Sequence, residues 1–585
     1  MAPDTLRRDP LAVLRRPSTI RRRCAAIARA VDEGRSPHFR IDRSRLQSAA
    51  ELVVQVMRER YPDGRIPPHS RWRQFEAGGV DRRAELDALL SGRSPAERAR
   101  AHFDLVVPSV LLDAGAGAAW RYREHAETAD SLALPVQRRR TDDLLALLDR
   151  VGATPRGAGA ARAKAAVAST ADAAAVAAPR PSPGNGPAAD ATAAAGPTAA
   201  PEAAPKAAPD AAPDKATGAA PAEAPVEDPA AAPSAAPAAD PATASTATPD
   251  TAPTVSSPAS VPASVPASVP ASVSASAPAA APAQTSSVKP AAVTGPTLAR
   301  SEGLAVASFR AFVGGVFSAS ADDPLRSDAL TLHLLDAAAL RDVFQVSTSN
   351  PLVGLDGRAG LLSRLGDALR AEADRGGGEA RPGLLFDRIT EGGKRTEVSA
   401  SELLALVLRV LAPVWTSGPR IVGLPAGDVW PHHWAGHDDG DGRIDRSTPG
   451  FVPFHKLSQW LVYSLLEPLQ WAGVQVQGVE ELTGLPEYRN GGLLIDTGVI
   501  VPRHALDAQR SWKPAEEMVI EWRALTVVLL DELAELVRGQ LGMDAAQLPL
   551  ACVLEGGTWA AGRQLANERR EGAPPFKIDS DGTVF

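Results

Sequence analysis

The chain has 585 residues and a net charge of −7, and it carries 52 Pro and 48 Gly against only 4 Tyr, 12 Phe and 10 Trp. The acidic balance provides no global basic field, so we expect no nucleic-acid partner. Two cysteines, Cys24 and Cys552, exclude a disulfide framework and fit a reducing compartment. No apolar stretch reaches the roughly 18 residues that a membrane span needs. We therefore expect a cytoplasmic protein without membrane contact.

The predicted elements are mostly helices. The arginine-rich N-terminus also contains Asp4 and Asp9, which argue against a transit peptide and favour a solvated first helix. Apolar residues at helical spacing, with capping residues and terminal Pro or Gly, predict helices over residues 44–61, 357–374, 403–411, 455–470 and 515–541. Alternating patterns predict strands only at 493–501 and 576–585. The fold class that follows is mainly α.

A long central segment differs from the rest of the chain. Residues 153–297 contain no Phe, Trp, Tyr, Leu, Ile or Met, and they include a Pro-Ala-Ser-Val repeat from Pro258 to Val273. Such a segment has no large side chains whose burial would offset the entropy of ordering. We expect a disordered, partly polyproline-II segment. The chain then divides into residues 1–150, a disordered insertion at 151–298, and residues 299–585.

The start of the predicted helix at 455–470 is a candidate anion site. His455, Lys456 and Gln459 lie on its polar side, and a helix N-terminus that carries a lysine attracts anions. The alternative is an ordinary exposed first turn.

The triplet Glu487-Tyr488-Arg489 is a second candidate. It lies between Pro486 and the pair Gly491-Gly492, so the backbone can hold three polar side chains rigidly at a cavity wall. A carboxylate beside an arginine stays ionised, which suits a group that stabilises a cationic transition state. The alternative is a surface turn with one solvated salt bridge.

Weaker signals lie in three other segments. Arg71, Trp72 and Arg73 suit a planar or phosphorylated ligand, or a structural loop with internally paired arginines. The glycine-rich residues 555–563 suggest a phosphate cradle that leads into a helix, with Arg563 assisting. Residues 437–448 partly mimic a calcium loop, but Thr448 stands where that loop needs a glutamate. We expect a flexible loop there, no metal ion and no cofactor.

Several motifs together resemble the uracil catabolism protein 4 family. They stand at residues 69–73 (HSRWR), 75–82 (FEAGGVDR), 112–117 (LDAGAG), 301–309 (SEGLAVASF), 453–460 (PFHKLSQW), 485–492 (LPEYRNGG), 555–559 (EGGTW) and 581–585 (DGTVF). In that family, the residues matching 120–124 are closely followed by those matching 299–305. The resemblance therefore implies that the long segment interrupts a single domain, with Glu124 and Ala299 close in space.

Residues 454–464 and 482–494 are also similar to paired segments of queuosine-salvage nucleotide N-glycosylases, as are residues 111–115 with Trp120. Here Glu487 replaces the aspartate of that family's Asp-Tyr-Arg motif, and Gly115 interrupts another motif. The similarity implies a helical domain with the helix-hairpin-helix glycosylase-like architecture.

The first resemblance implies a role in the breakdown of uracil through ring opening toward urea, and the second implies cleavage of an N-glycosidic bond. The hypothesis that combines them is an enzyme that hydrolyses a ribosylurea-type nucleotide to urea and ribose phosphate. Glu487 would stabilise the oxocarbenium-like cation or activate water, with Tyr488 and Arg489 fixing its geometry. Asp113 would bind ribose hydroxyls, while Lys456 with Arg71 or Arg73 would hold the phosphate. Trp120 or Trp460 would wall the pocket, and His455 would contact the substrate.

Two alternatives stay open. One is a metal-dependent amidohydrolase of an open-ring pyrimidine with metal at His432, His433 and His437. The other is a non-catalytic scaffold that gathers pathway enzymes through the Pro/Ala-rich insertion.

Overall fold

A computed structural model of the protein describes residues 9–113, 117, 119–125, 294–506 and 509–579. Most of the predicted insertion and the motif at 581–585 lie outside the described residues. The described part is mainly helical, as predicted. Its helices are α1 (Pro17–Asp32), α2 (Leu46–Arg60), α3 (Arg71–Phe75), α4 (Arg82–Leu89), α5 (Pro95–Leu111), α6 (Arg300–Val313), α7 (Ala329–Leu334), α8 (Ala337–Val343), α9 (Leu355–Gly376), α10 (Leu384–Thr390), α11 (Ala400–Val410), α12 (Lys456–Trp471), α13 (Tyr488–Asp496), α14 (Glu517–Leu541), α15 (Leu550–Val553) and α16 (Trp559–Arg570).

The strands are short and join in pairs. They are β1 (Phe39–Ile41), β2 (Arg121–His125), β3 (Thr294–Ala299), β4 (Glu397–Ser399), β5 (Arg420–Ile421), β6 (Leu424–Pro425), β7 (Val429–Pro431), β8 (Phe451–Pro453), β9 (Gln475–Gln477), β10 (Ile500–Pro502), β11 (Ser511–Trp512) and β12 (Lys577–Ile578). The antiparallel pairs are β1–β10, β2–β3, β5–β6 and β7–β8, and the parallel pairs are β4–β9 and β11–β12.

The two ends of the long central segment meet in the β2–β3 pair. Arg121 pairs with Ala299 and Arg123 with Thr297, and the described residues on both sides belong to one compact unit. Residues 294–298 are therefore strand, and the boundary predicted at 298 was several residues too late. Arg82 and Arg310 both pair with Glu124 of β2, which ties this strand to α4 and α6.

The long helix α14 organises the core around it. Its residues Trp522, Leu525 and Leu529 are fully or almost fully buried, and it packs against α1, α2 and α13. The prediction of a solvated α1 was wrong, because Ile20 and Ile27 of that helix are also completely buried. Among the described residues, none of the helices combines the length and apolar character that crossing a bilayer requires.

The predicted helices at 44–61, 357–374, 403–411, 455–470 and 515–541 all form, with ends shifted by at most three residues. The strand predicted at 493–501 was largely wrong, since α13 extends to Asp496 and only β10 is extended. Leu493 and Leu494 are both completely buried, because both sides of α13 pack against other helices. Alternating burial, on which the strand prediction relied, is therefore absent there.

Two helices continue through an internal proline. Pro468 lies in α12 and Pro108 in α5, and each proline leaves the carbonyl four residues earlier without its helical donor. The Trp72 indole donates to the freed Ser464 carbonyl at 3.0 Å. The Ser327 hydroxyl donates to the freed Asp104 carbonyl at 2.7 Å. Both carbonyls thereby bind a neighbouring segment.

Because α14 lies in the core, shortening one of its buried side chains should destabilise the protein more than shortening an exposed side chain elsewhere. Leu525→Ala should lower the free energy of unfolding by about 2–5 kcal/mol, because it leaves a cavity in the core. Leu89→Ala, at a position that is 50% exposed, is the matched control and should change it by less than about 0.5 kcal/mol. Urea denaturation followed by circular dichroism measures both, and equal effects would contradict the assignment of α14 to the core.

Candidate functional site

Four helix ends bring charged and aromatic side chains into one polar cluster. Arg71 is the first residue of α3, and Asp113 follows α5. Lys456 begins α12, while Glu487 caps α13 and Tyr488 begins it. We call these five residues the polar cluster. Segments far apart in sequence supply them, so the cluster exists only in the folded chain.

An ion pair between Arg71 and Asp113 forms one side of the polar cluster. Arg71 Nη1 lies 3.0 Å from Asp113 Oδ2, and both side chains are buried. Arg71 Nε also donates to Ser109 Oγ at 2.8 Å. Burial raises the pKa of Asp113, and the charge of Arg71 opposes that rise. Within the described residues, Arg71 Nη2 is buried without a hydrogen-bond partner, so this donor remains open for a ligand.

Lys456 provides a positive charge beside two carboxylates. Burial lowers the pKa of its ammonium, while the charges of Glu487 and Asp113 raise it. In the described part of the chain, the ammonium makes neither a hydrogen bond nor an ion pair. The Lys456 backbone N–H donates to Asp428 Oδ2 at 3.1 Å, which fixes the start of α12. The backbone contact fixes where the side chain begins, and among the described residues the ammonium has no partner and is open to an anion.

Glu487 is buried, which excludes the solvated surface turn. Its Oε2 accepts from the Arg489 N–H at 2.8 Å and its Oε1 from the Asn490 N–H at 2.7 Å. The carboxylate caps α13, where free N–H groups and the helix dipole favour negative charge. Glu487 therefore lies away from bulk solvent, and its charge acts on Lys456 together with that of Asp113.

Arg489 does not bind Glu487 through its guanidinium as the sequence suggested. Its Nη1 donates to the Gly572 carbonyl at 3.1 Å, and its guanidinium lies 4.5 Å from the centre of the Tyr488 ring. The backbone N–H groups, rather than the Arg489 side chain, therefore fix Glu487. Burial raises the pKa of Tyr488, so its phenol stays a proton donor.

Trp460 forms an aromatic wall of the polar cluster, as predicted for it or Trp120. Its ring centre lies 5.7 Å from the Arg71 guanidinium carbon. Among the described residues, its Nε1 is buried without a hydrogen-bond partner. Trp120 is completely buried instead and donates from Nε1 to the Phe344 carbonyl at 2.9 Å, so its ring fills the core beneath α6.

An open cleft of about 650 Å³ adjoins Trp460. The charged and aromatic residues along it are Arg60, His69, Arg73, Glu76, Glu302, Glu555, Trp559, Arg563 and Glu568. The His69 ring centre lies 6.4 Å from Trp460 and 6.0 Å from Trp559. Trp460 thus contacts both His69 of the cleft and Arg71 of the polar cluster.

His69 and Glu555 form a buried pair. Both residues were noted in the sequence only as parts of longer motifs, and their pairing was not predicted. His69 Nδ1 lies 2.7 Å from Glu555 Oε2. Although burial alone would raise it, the pKa of Glu555 is lowered by the hydrogen bond and charge of His69 and by Arg60. A carboxylate that holds one nitrogen of an imidazole orients the other for proton transfer. A separation of 486 residues hides this pair from spacing arguments.

The two remaining residues predicted to bind substrate, Arg73 and His455, bind other residues of the protein. Arg73 lines the cleft and pairs with Glu467 at 2.7 Å and Glu76 at 3.0 Å, so it lies apart from Arg71 and its charge is already balanced. The buried His455 ring approaches the Leu14 carbonyl at 3.0 Å through Nε2.

The glycine-rich residues 555–559 do not form a phosphate cradle. A π-helical turn, Leu554–Thr558, joins α15 to α16, which keeps the backbone within a helix. A Cβ on Gly557 would lie 2.5 Å from Val53 Cγ1. The glycines here allow α2 to approach closely.

In the loop at 437–448, Asp438 and Asp439 each accept from backbone N–H groups of the loop itself. Asp438 Oδ1 accepts from the Gly440 N–H at 2.7 Å, and Asp439 Oδ1 accepts from the Asp441 N–H at 2.9 Å. Of the histidines in the amidohydrolase alternative, His432 and His433 lie together, whereas His437 is exposed and apart from them.

His455 should make stability depend on pH. Burial lowers the pKa of His455 from 6.5 to about 4, so between these values the unfolded chain binds more protons and acidification favours unfolding. We expect this histidine to account for about 2–3 kcal/mol of the stability lost over that range. His455→Gln keeps a donor for the Leu14 carbonyl and should flatten the profile. Urea titrations at successive pH values check this, and an unchanged slope would contradict it.

Comparison with known proteins supports the family resemblance that the sequence motifs indicated. The family described as "Protein of unknown function (DUF1688)" matches residues 13–138 and 280–585. Protein urg3 of Schizosaccharomyces pombe is 38% identical over 291 residues, covering 49% of this chain and 68% of that protein. Uracil catabolism protein 4 of Lachancea kluyveri is 36% identical over 310 residues, covering 49% of this chain and 69% of that protein. The chain therefore belongs to the DUF1688 family, which is the family of uracil catabolism protein 4.

Proposed function

We propose that the protein acts in uracil breakdown and hydrolyses the N-glycosidic bond of a ribosylurea-type nucleotide, releasing urea and ribose phosphate. The name of the Lachancea kluyveri relative supports the pathway. One observation carries the reaction: a buried, backbone-fixed carboxylate, Glu487, lies near an ammonium, Lys456, that binds no other described side chain.

The polar cluster suits the charges of this reaction. As the C1′–N bond breaks, positive charge develops on the ribose ring, and a preorganised carboxylate stabilises it without reorienting. Glu487 provides that carboxylate, since two backbone N–H groups hold it in place. Lys456 and the open Nη2 of Arg71 would bind the phosphate, and Asp113 the ribose hydroxyls.

The leaving group and the attacking water need proton transfers. Water gives its hydroxide to C1′ and one proton to a base, while the departing nitrogen of urea takes up a proton. We assign the base to His69, which Glu555 orients through Nδ1. Tyr488 gives its phenol proton to the departing urea nitrogen, and the proton that His69 takes from water then restores the phenol through solvent. Both oxygens of Glu487 already accept backbone N–H groups, so Glu487 fits charge stabilisation better than deprotonation of water.

The role of Glu487 is testable by removing its charge. With ribosylurea 5-phosphate as substrate, Glu487→Gln should lower kcat by about 10²–10³-fold, because the cation loses its fixed counter-charge. Released urea is the measurement. Asp336→Asn is the matched control, since Asp336 also caps a helix, α8, through its carboxylate. Full turnover by Glu487→Gln would refute the assignment.

The role of His69 should appear in turnover. His69→Gln should lower kcat by about 10²-fold or more, because it removes the base that takes a proton from the attacking water. His333→Gln, at a partly exposed histidine outside the cleft, is the control, and circular dichroism verifies that both variants fold. Full turnover by a folded His69→Gln variant would contradict the assignment.

A further inference from the structure

A second group of ionisable side chains lies at the start of α14, outside the polar cluster and the cleft. Ligand atoms of His432, His433 and Glu517 all lie within 4.8 Å of one another. His433 Nδ1 is 3.2 Å and His432 Nε2 is 3.9 Å from Glu517 Oε1. The two imidazole rings stack with centres 4.9 Å apart and planes at 13°. These three residues line a pocket of about 390 Å³ beside Gly450.

One polar atom of this group and two polar atoms next to it are buried without hydrogen-bond partners in the described part of the chain. They are His38 Nε2, His432 Nε2 and Glu521 Oε1. His38 Nε2 lies 3.7 Å from Glu517 Oε2, and His432 Nε2 lies 3.9 Å from Glu521 Oε1. Orphaned buried polar atoms are rare because each loses its bonds to water without replacement. A cation bound at His432 Nε2 would supply the partner that this buried nitrogen lacks.

We propose that His432 Nε2, His433 Nδ1 and the Glu517 carboxylate bind a divalent transition metal of the zinc type, with a water molecule in the fourth position. Zinc bonds of about 2.0–2.1 Å in a tetrahedron place ligand atoms roughly 3.3–3.5 Å apart. Glu517 Oε1 lies 3.2 Å from His433 Nδ1 and 3.9 Å from His432 Nε2, and the ligand atoms of the three residues lie within 4.8 Å of one another, so rotation of the two stacked imidazoles would bring their nitrogens to that geometry. Imidazole-rich ligands with one carboxylate favour zinc over calcium or magnesium.

Metal binding sets the proton on His432. The Trp434 N–H approaches His432 Nδ1 at 3.2 Å, so that nitrogen accepts when Nε2 carries the proton. Coordination through Nε2 moves the proton to Nδ1 and breaks this long contact. One carboxylate oxygen of Glu521 lies beside His432 Nε2, and the other accepts from the Ser36 hydroxyl at 2.5 Å. Glu521 therefore neighbours the metal ligands and is not one of them.

The proposed metal would hold the frame of the polar cluster. His432 directly follows β7, and Lys456 lies shortly after β8, the partner of β7. The antiparallel pair β7–β8 forms a ribbon. At the end of this ribbon that is opposite to His432, Asp428 binds the Lys456 N–H and the Arg523 side chain of α14. The metal ligands join the ribbon to the first turn of the same helix. They are thus positioning residues for the site and take no part in its chemistry.

Zinc titration of chelator-treated full-length protein tests the site directly. We expect one Zn²⁺ per chain, and a higher thermal midpoint with added zinc but not with added Mg²⁺ or Ca²⁺. His433→Ala should weaken zinc affinity at least about tenfold. The His433 side chain is 59% exposed, so this variant should still fold, and circular dichroism verifies that.

His437→Ala is the matched control, because His437 lies on the same loop but outside the group. It should bind zinc like the wild type, while His433→Ala and Glu517→Gln should not. Absence of zinc binding by the wild type would overturn the proposal. Equal binding by wild type and His433→Ala would overturn it as well. Because zinc is measured without substrate, neither result bears on the proposed glycosidic reaction.

Discussion

The buried ion pair between Asp428 and Arg523 holds the two charged helix ends of the polar cluster in register. Two bonds of 2.7 Å join the guanidinium and the carboxylate. Asp428 also accepts the Lys456 N–H, while Arg523 Nε donates to the Pro486 carbonyl just before Glu487. Burial would raise the pKa of Asp428, but the charge and hydrogen bonds of Arg523 hold it below its usual range. Losing either partner would leave a buried charge and release both helix ends.

Local patterns were sufficient to predict much of the fold. The capping box of Ser399 and Glu402 forms, and the long apolar periodicity became α14, because both signals involve residues within a few turns of each other. The strand prediction at 493–501 was wrong because Leu493 and Leu494 are buried on both sides of α13. Burial of this kind depends on distant helices, which a short window of sequence does not contain.

The sequence was sufficient to predict which residues form the candidate site, but not how most of them pair. Lys456, Glu487, Asp113, Arg71 and Trp460 meet, and their motifs were visible in the sequence. The pairing of His69 with Glu555, the engagement of Arg489 by Gly572 and the separation of Arg73 from Arg71 were not predictable. Each depends on which of several plausible partners the tertiary structure brings within about 3 Å, and charge or spacing alone does not choose between them.

The internal prolines of α5 and α12 give these helices an outward-facing acceptor in mid-length. A residue with an amide at position 468 would return the Ser464 carbonyl to its own helix and compete with the Trp72 indole. Trp72 sits between Arg71 and Arg73, so this carbonyl anchors the short helix that carries both arginines. A residue usually regarded as a helix breaker thus specifies where a neighbouring helix attaches. Replacing it with a better helix former would strengthen α12 locally while loosening the attachment of α3.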